Sequence, residues 1–170
     1  MESNFRKSLE LVLGHEGTYS NDPRDKGGET MRGVTRAVWE EWVKRPCRPG
    51  EMRTLTNDDV APLYEKNYWG AMSCDDLPAG VDYAAFDFAV NAGPRQCKKI
   101  LQRALGVHDD GVIGPMTLAA IKQADGAQLL HRFSEEKEKF YRSLTKDFAT
   151  FGKGWLNRVR DVEANAKGMM

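Results

Sequence analysis

Helical periodicity runs through most of this sequence and is interrupted once, early, by a polar, glycine-rich excursion over residues 18–34. Ahead of it, Phe5, Leu9, Val12 and Leu13 recur at helical spacing, and Gly14 with Gly17 stops the pattern, so a first helix should end very near His15-Glu16. Inside the excursion, Asn21-Asp22-Pro23 and Lys26-Gly27-Gly28 are strong turn signals, which predicts a short irregular β-hairpin and not a helix. The implied fold class is mainly α, with one short irregular β-hairpin near the N-terminus. Glu16 is left at a helix C-terminal end, where a negative charge opposes the helix dipole, so helix stability does not explain its position.

Helical pattern resumes over residues 36–43, and 45–53, with Pro46, Pro49 and Gly50, reads as a loop. Thr56 is an expected N-cap, with Asp58 and Asp59 in the first turn, for a helix running to about Tyr68. Another helix is expected over 81–91; Gly93-Pro94 ends it and starts the next, which carries Cys97, Ile100, Leu101, Ala104 and Leu105 and closes at Gly106. After the turn His108-Asp109-Asp110-Gly111, Pro115 stands at a first helical position ahead of Leu118 and Ile121. The longest helix is expected over 127–144, with Leu129, Leu130, Phe133, Phe140, Tyr141 and Leu144 inward and Glu135–Lys139 and Glu138–Arg142 as outward pairs. A final helix is expected after Gly154. A chain of 170 residues suits one compact domain, or one divided into two small lobes around a cleft.

Composition removes several function classes. Lys+Arg and Asp+Glu are both 25, so there is no global basic excess to suggest a nucleic-acid partner. Cys47, Cys74 and Cys97 are far apart and lack CxxC spacing, which points to free thiols. His15, His108 and His131 are scattered without an HExxH pattern, so no metal site and no cofactor are expected. The opening Met1-Glu2-Ser3-Asn4-Phe5-Arg6-Lys7 is polar, and the apolar stretch after it is too short and interrupted for a signal core or a membrane span, so stable membrane insertion is not expected.

Glycoside hydrolysis needs a carboxylic acid to protonate the leaving oxygen, commonly with a second carboxylate to orient water or stabilise developing positive charge. Glu16 and Asp25 supply such a pair on either side of the turn-rich segment, and Thr30 offers a hydroxyl to hold an attacking water. Tyr19 and Asn21 offer ring stacking and hydrogen bonds to sugar. The same residues admit a plainer account, in which Asp22 and Asp25 cap turns and Gly27-Gly28 only permits a tight hairpin.

The string His15-Glu16-Gly17-Thr18-Tyr19-Ser20-Asn21-Asp22-Pro23-Arg24-Asp25-Lys26-Gly27-Gly28-Glu29-Thr30-Met31-Arg32-Gly33-Val34-Thr35 resembles the opening motif of glycoside hydrolase family 108, bacterial and phage N-acetylmuramidases of lysozyme-like α fold. The resemblance implies that Glu16 is the catalytic acid, buried enough to be held protonated, and acts on the β-1,4 bond between N-acetylmuramic acid and N-acetylglucosamine. The order Glu16, Asp25, Thr30 is also similar to the Glu/Asp/Thr triad of phage-type lysozymes, with Thr30 about one position early. Asp87-Phe88-Ala89-Val90-Asn91-Ala92-Gly93 resembles the sugar-facing Asn-Ala-Gly segment of goose-type lysozymes and lytic transglycosylases, which makes Asn91 a substrate-contact candidate; a helix C-cap is its structural alternative. Tyr64, Tyr68 and Trp69 gather at a predicted helix end, where Tyr68 is a candidate for a sugar-binding wall and packing is the alternative role.

Ile100-Leu101-Gln102-Arg103-Ala104-Leu105-Gly106 and Asp110-Gly111-Val112-Ile113-Gly114-Pro115-Met116-Thr117-Leu118 resemble small helical peptidoglycan-binding domains. The expected division is therefore a catalytic lysozyme-like lobe over 1–92 and a helical peptidoglycan-binding-like lobe over 93–170, packed into one unit. Trp155 is expected in the core, and the basic helix residues Arg95, Lys98, Lys99 and Arg103 on a solvated face or against an anionic envelope. The implied partner is the peptidoglycan glycan strand, met by a monomer. A phage endolysin would collect in the host cytoplasm before release and act on the wall from the periplasm or from outside. The rival readings are a lytic transglycosylase and a non-catalytic wall-binding or secretion-accessory protein.

Overall fold

The structure, a computed structural model, describes residues 2–15, 19–21 and 28–170. It forms two compact units, Glu2–Asn67 and Tyr68–Met170. In the first, α1 (Glu2–His15) is followed by β1 (Tyr19–Ser20), β2 (Thr30–Met31), β3 (Val34–Thr35), α2 (Arg36–Val43), α3 (Glu51–Thr54) and α4 (Asn57–Tyr64). A π-helical turn, Glu65–Trp69, leads from α4 into two 3-10 turns. The second unit then carries α5 (Val81–Ala92), α6 (Pro94–Leu105), α7 (Pro115–Gln123), α8 (Gly126–Ser143) and α9 (Thr145–Lys167). The mainly α expectation with an early β element holds.

The helical stripe at the start of the chain does what its spacing predicts: Phe5, Leu9, Val12 and Leu13 are buried, and α1 packs on α4. Thr56 caps α4 through a full capping box, its hydroxyl accepting from the Asp59 amide at 3.2 Å while the Asp59 carboxylate accepts from the Thr56 amide at 2.7 Å. The early excursion is a three-stranded antiparallel sheet in the order β1-β2-β3, so it contains a second hairpin beyond the one expected. The segment 45–53 is less of a loop than its prolines suggest. The Glu51 carboxylate accepts from Arg45 at 2.7 Å, the Arg48 amide at 2.8 Å and the Trp39 indole at 3.0 Å, closing the segment around α3. Those donors hold Glu51 well below the usual carboxylate range.

In the second unit α5 is the central helix, buried from Val81 through Ala89, and α6, α8 and α9 pack around it. Phe88 meets Phe133, Phe140 and Tyr141 edge to face, and Tyr141 stacks on Trp155 with centroids 5.1 Å apart; Trp155 is half-buried and not in the core position expected of it. Two acids, Asp82 and Asp87, are buried on this helix. Asp87 accepts from Arg158 of α9 through Nη2 at 2.8 Å and Nε at 3.1 Å. Lys137 of α8 is also buried, with its ammonium 5.0 Å from the Phe133 ring centroid and no hydrogen-bond partner among the described residues. Burial pushes the Lys137 amine down, opposed in part by the Asp87 carboxylate, and burial pushes the Tyr83 and Tyr141 phenols up to about 12. The three cysteines are free and buried.

Three details of the helical expectation need correction. The longest helix is α9, 23 residues, and not the 18-residue α8. It begins at Thr145 and runs through both Gly152 and Gly154, although Gly154 looks like a boundary in the sequence. Each internal glycine costs about 1 kcal/mol of helix propensity, and burial of Val159, Val162 and Ala166 against the unit's core outweighs it. Gly152 also has a packing reason, because a Cβ there would come 2.6 Å from the Phe148 ring. On α8, Lys139 pairs with Glu136 at 2.6 Å instead of Glu135, while Glu138–Arg142 forms as expected at 3.5 Å.

Gly80 enters α5 with φ +83°, and a Cβ there would meet the Ala166 carbonyl oxygen at 2.4 Å. Gly80→Ala is therefore expected to cost at least about 2 kcal/mol, from the left-handed backbone and the clash together. Urea unfolding monitored by circular dichroism checks this; an unchanged midpoint would contradict the close approach of α5 and α9. No helix among the described residues is long and apolar enough to cross a membrane.

Candidate functional site

Glu16 and Asp25 lie outside the described residues, so the site is built from the frame on either side of them. His15 closes α1 and Tyr19 opens β1. Ser20 pairs with Thr30 across the β1–β2 ladder, which holds the two ends of the segment containing Asp25 about 5 Å apart.

The same register sorts the candidates by face. Thr30, with its partners Ser20 and Thr35, points to one side of the sheet; Tyr19, with Met31 and Val34, points to the other. Met31 and Val34 are buried, so the Tyr19 side is the core side, while Thr30 is half-buried on the opposite face. Asn21 is exposed just beyond β1.

Tyr19 is tied into a network that sequence reasoning does not find. Its hydroxyl donates to Glu29 Oε1 at 2.7 Å, and the Arg53 guanidinium lies 4.6 Å from its ring centroid. Arg36 bridges Glu29 Oε2 at 3.3 Å and Glu40 Oε1 at 3.0 Å, and Glu40 Oε1 also accepts from the Cys47 amide at 2.9 Å. The Cys47 amide and then Arg36 hold Glu40 below its ordinary value. These links clamp β1 and the residue before Thr30 to α2 and to the segment after it. Three of the four charged residues are distant in sequence from Tyr19, and no short-range signal marks them as partners.

The β2–β3 hairpin is a two-residue turn in which Arg32 and Gly33 both have positive φ, 51° and 74°. Such turns match strand twist but ordinarily carry Asn or Asp at the first position, because a longer side chain is strained there. Arg32 is held by its own bonds: Nε donates to the Leu55 carbonyl at 2.9 Å, Nη1 donates to Asn57 Oδ1, and its carbonyl accepts from the Tyr64 hydroxyl at 2.8 Å. The sheet is thereby fastened to the N-terminus of α4 and to a buried tyrosine.

In the second unit, Asn91 is exposed in the last turn of α5, and its Nδ2 donates to the Asp87 carbonyl at 2.7 Å. Gly93 ends that helix with φ +84°. Tyr68 is half-buried in the π-helical turn, beside a fully packed Trp69 whose indole donates to Asp75 at 3.0 Å.

The Gln102 and Asp110-Gly-x-x-Gly-Pro-x-Thr117 pattern is one buried hydrogen-bond centre. Gln102 Nε2 donates to Asp110 Oδ1 at 2.8 Å, the Val112 carbonyl at 2.9 Å and Thr117 Oγ1 at 3.1 Å, and its Oε1 accepts from the Gly111 amide at 2.8 Å. Gly114 and Pro115 then start α7. These residues are the internal support of the turn. Gln102→Leu is expected to cost about 3 kcal/mol, because it strands a buried amide and hydroxyl; chemical denaturation measures it, and a loss under about 0.5 kcal/mol would mean that the centre is not structural.

Comparison with known proteins divides the chain later than its compact units do, after α5 and not before it. Residues 9–93 match the family model for glycosyl hydrolase 108, and residues 96–160 match one described as a predicted peptidoglycan domain. The structure is similar to that of SagA from Brucella abortus, at 37% sequence identity and a TM-score of 0.84, covering 99% of this chain and 97% of that one. No curated protein matches the chain.

Proposed function

The chain belongs to glycosyl hydrolase family 108 and is a muramidase-type peptidoglycan hydrolase, and from that premise we propose that Glu16 is its general acid. In this reading Glu16 protonates the glycosidic oxygen between N-acetylmuramic acid and N-acetylglucosamine, and Asp25 orients water or stabilises the oxocarbenium-like state. The Thr30 hydroxyl helps to hold the attacking water. The observation that carries the proposal is that the matched span 9–93 contains all three residues, with Ser20 and Thr30, which flank the stretch holding Asp25, paired across the β1–β2 ladder.

Two further features support it. Thr30 projects from the face of the sheet opposite the core, so its hydroxyl is not enclosed by core packing. Tyr19, Glu29, Arg36 and Arg53 fix the strand that follows Glu16, and such fixing is what a positioned acid requires. Tyr19 then acts mainly by positioning, while Asn21, Asn91 and Tyr68 are proposed sugar contacts. We take residues 1–92 as the catalytic portion and 93–170 as the wall-binding portion, in line with the two matched spans.

The test is the identity of the new chain ends. Purified peptidoglycan is digested, reduced with borohydride and hydrolysed, and the sugar alcohols are identified. Muramitol supports the reading; glucosaminitol in its place would make the enzyme a glucosaminidase.

A further inference from the structure

The second unit has a groove of about 490 Å³ lined by Ala92, Gly93, Pro94, Arg95, Gln96 and Lys99. It opens at the start of α6, directly after Asn91. The chain has equal numbers of acidic and basic residues, yet α6 carries Arg95, Lys98, Lys99 and Arg103 and no acid. Arg103 is neutralised by Asp109 at 2.6 Å, whereas Arg95 and Lys99 make no ion pair among the described residues.

The two basic side chains are also held in place. A Cβ on Gly111, whose φ is +79°, would stand 3.3 Å from Arg95 Cγ and 3.4 Å from Lys99 Cγ. The Gly111 turn therefore lies against both aliphatic stems, and its own amide is fixed by the buried Gln102. A turn built around a buried centre thus braces two adjacent cations at a groove, which lowers the entropy lost when they bind an anion.

We propose that this groove binds the carboxylates of the peptide stem that peptidoglycan carries on muramic acid. The inference rests on the peptidoglycan reading and adds a specificity element to it. Stem peptides supply carboxylates next to the glycan, and two braced cations complement them; chitin-type glycans of the same backbone lack any carboxylate. Arg95 and Lys99 so distinguish a stem-bearing strand from a bare one, and their contribution appears in binding more than in turnover.

The experiment titrates the full chain, as Glu16→Gln to prevent cleavage, with a soluble disaccharide–tripeptide muropeptide and with the same compound after methyl esterification of its stem carboxylates. Arg95→Gln/Lys99→Gln removes both charges and keeps most of each stem against Gly111, and Lys98→Gln, off the groove, is the control. Esterification and the double substitution are each expected to weaken binding about tenfold, without adding to one another, and Lys98→Gln to leave it unchanged. Additive losses, an equal loss with Lys98→Gln, no loss, or no binding of the muropeptide at all would overturn the proposal. Charge-dependent muropeptide binding by a wild type that cleaves no peptidoglycan would retain this groove and reject the hydrolase reading, so the two fail separately.

Discussion

Glu16→Gln is expected to lower the rate of glycan cleavage by about 10²–10⁴-fold, with KM for peptidoglycan and thermal stability near those of the wild type. Gln keeps the size and hydrogen-bonding capacity of the side chain and removes only the transferable proton, so the loss isolates proton donation. Asp25→Asn tests the second carboxylate in the same assay. A Glu16→Gln enzyme that is folded and cleaves at the wild-type rate would remove the assignment outright, since a carboxamide cannot serve as the general acid.

The largest expected effect on stability is at Asp87. It sits on the buried α5 and accepts two hydrogen bonds from Arg158, with Lys137 enclosed nearby. Asp87→Ala removes the carboxylate that pairs with Arg158 and is expected to cost about 3–5 kcal/mol. For a chain of this size that lowers the melting temperature by about 10 °C. Lys137→Met in the wild-type background is expected to be neutral or stabilising, because the buried ammonium lacks a hydrogen-bond partner among the described residues. In the Asp87→Ala background it should recover part of the loss, since the ammonium has then lost its main opposing charge. The pH dependence has a definite sign. Burial lowers the folded-state pKa of Lys137, so between that value and the ordinary lysine value the unfolded chain binds more protons, and stability rises with pH across the window. Lys137→Met should flatten that rise. A wild-type midpoint in Asp87→Ala would show that the pair contributes little.

Most of what is legible in the sequence is local. The α1 stripe, the Thr56 N-cap, the Gly93-Pro94 break and Pro115 at the start of α7 are all set by residues within a few positions of one another, and the structure has each where expected. The misread elements depend on tertiary contacts. Gly152 and Gly154 suggest a helix boundary until the burial of Val159, Val162 and Ala166 is known, and the aromatic stack of Trp155 on Tyr141 joins two helices. The Arg32-Gly33 turn lacks the usual Asn or Asp, and what tolerates Arg32 there is supplied by Leu55, Asn57 and Tyr64.

The candidate site divides in the same way. Glu16, Asp25 and Thr30 are legible because an interrupted helical pattern and a family-like string draw attention to them. The clamp of Glu29, Arg36, Glu40 and Arg53 around Tyr19 is not, since apart from the Arg36–Glu40 pair on α2 its members come from separate parts of the chain and look like ordinary surface charge one at a time. Gln102 and Thr117 stand out in the sequence for their resemblance to wall-binding domains, whereas their geometry makes them the internal support of a turn. Charge counting alone also hides the Arg95–Lys99 groove, because the chain total is zero.

The most direct test of the central claim is digestion of purified peptidoglycan in heavy-oxygen water, with mass spectrometry of the released muropeptides. A muramidase that uses Glu16 as acid and water as nucleophile places one heavy oxygen on each new reducing muramic-acid end, and Glu16→Gln abolishes those products. Anhydro-muramic ends without the label would contradict hydrolysis and make the enzyme a lytic transglycosylase, and labelled ends formed equally by Glu16→Gln would contradict the acid.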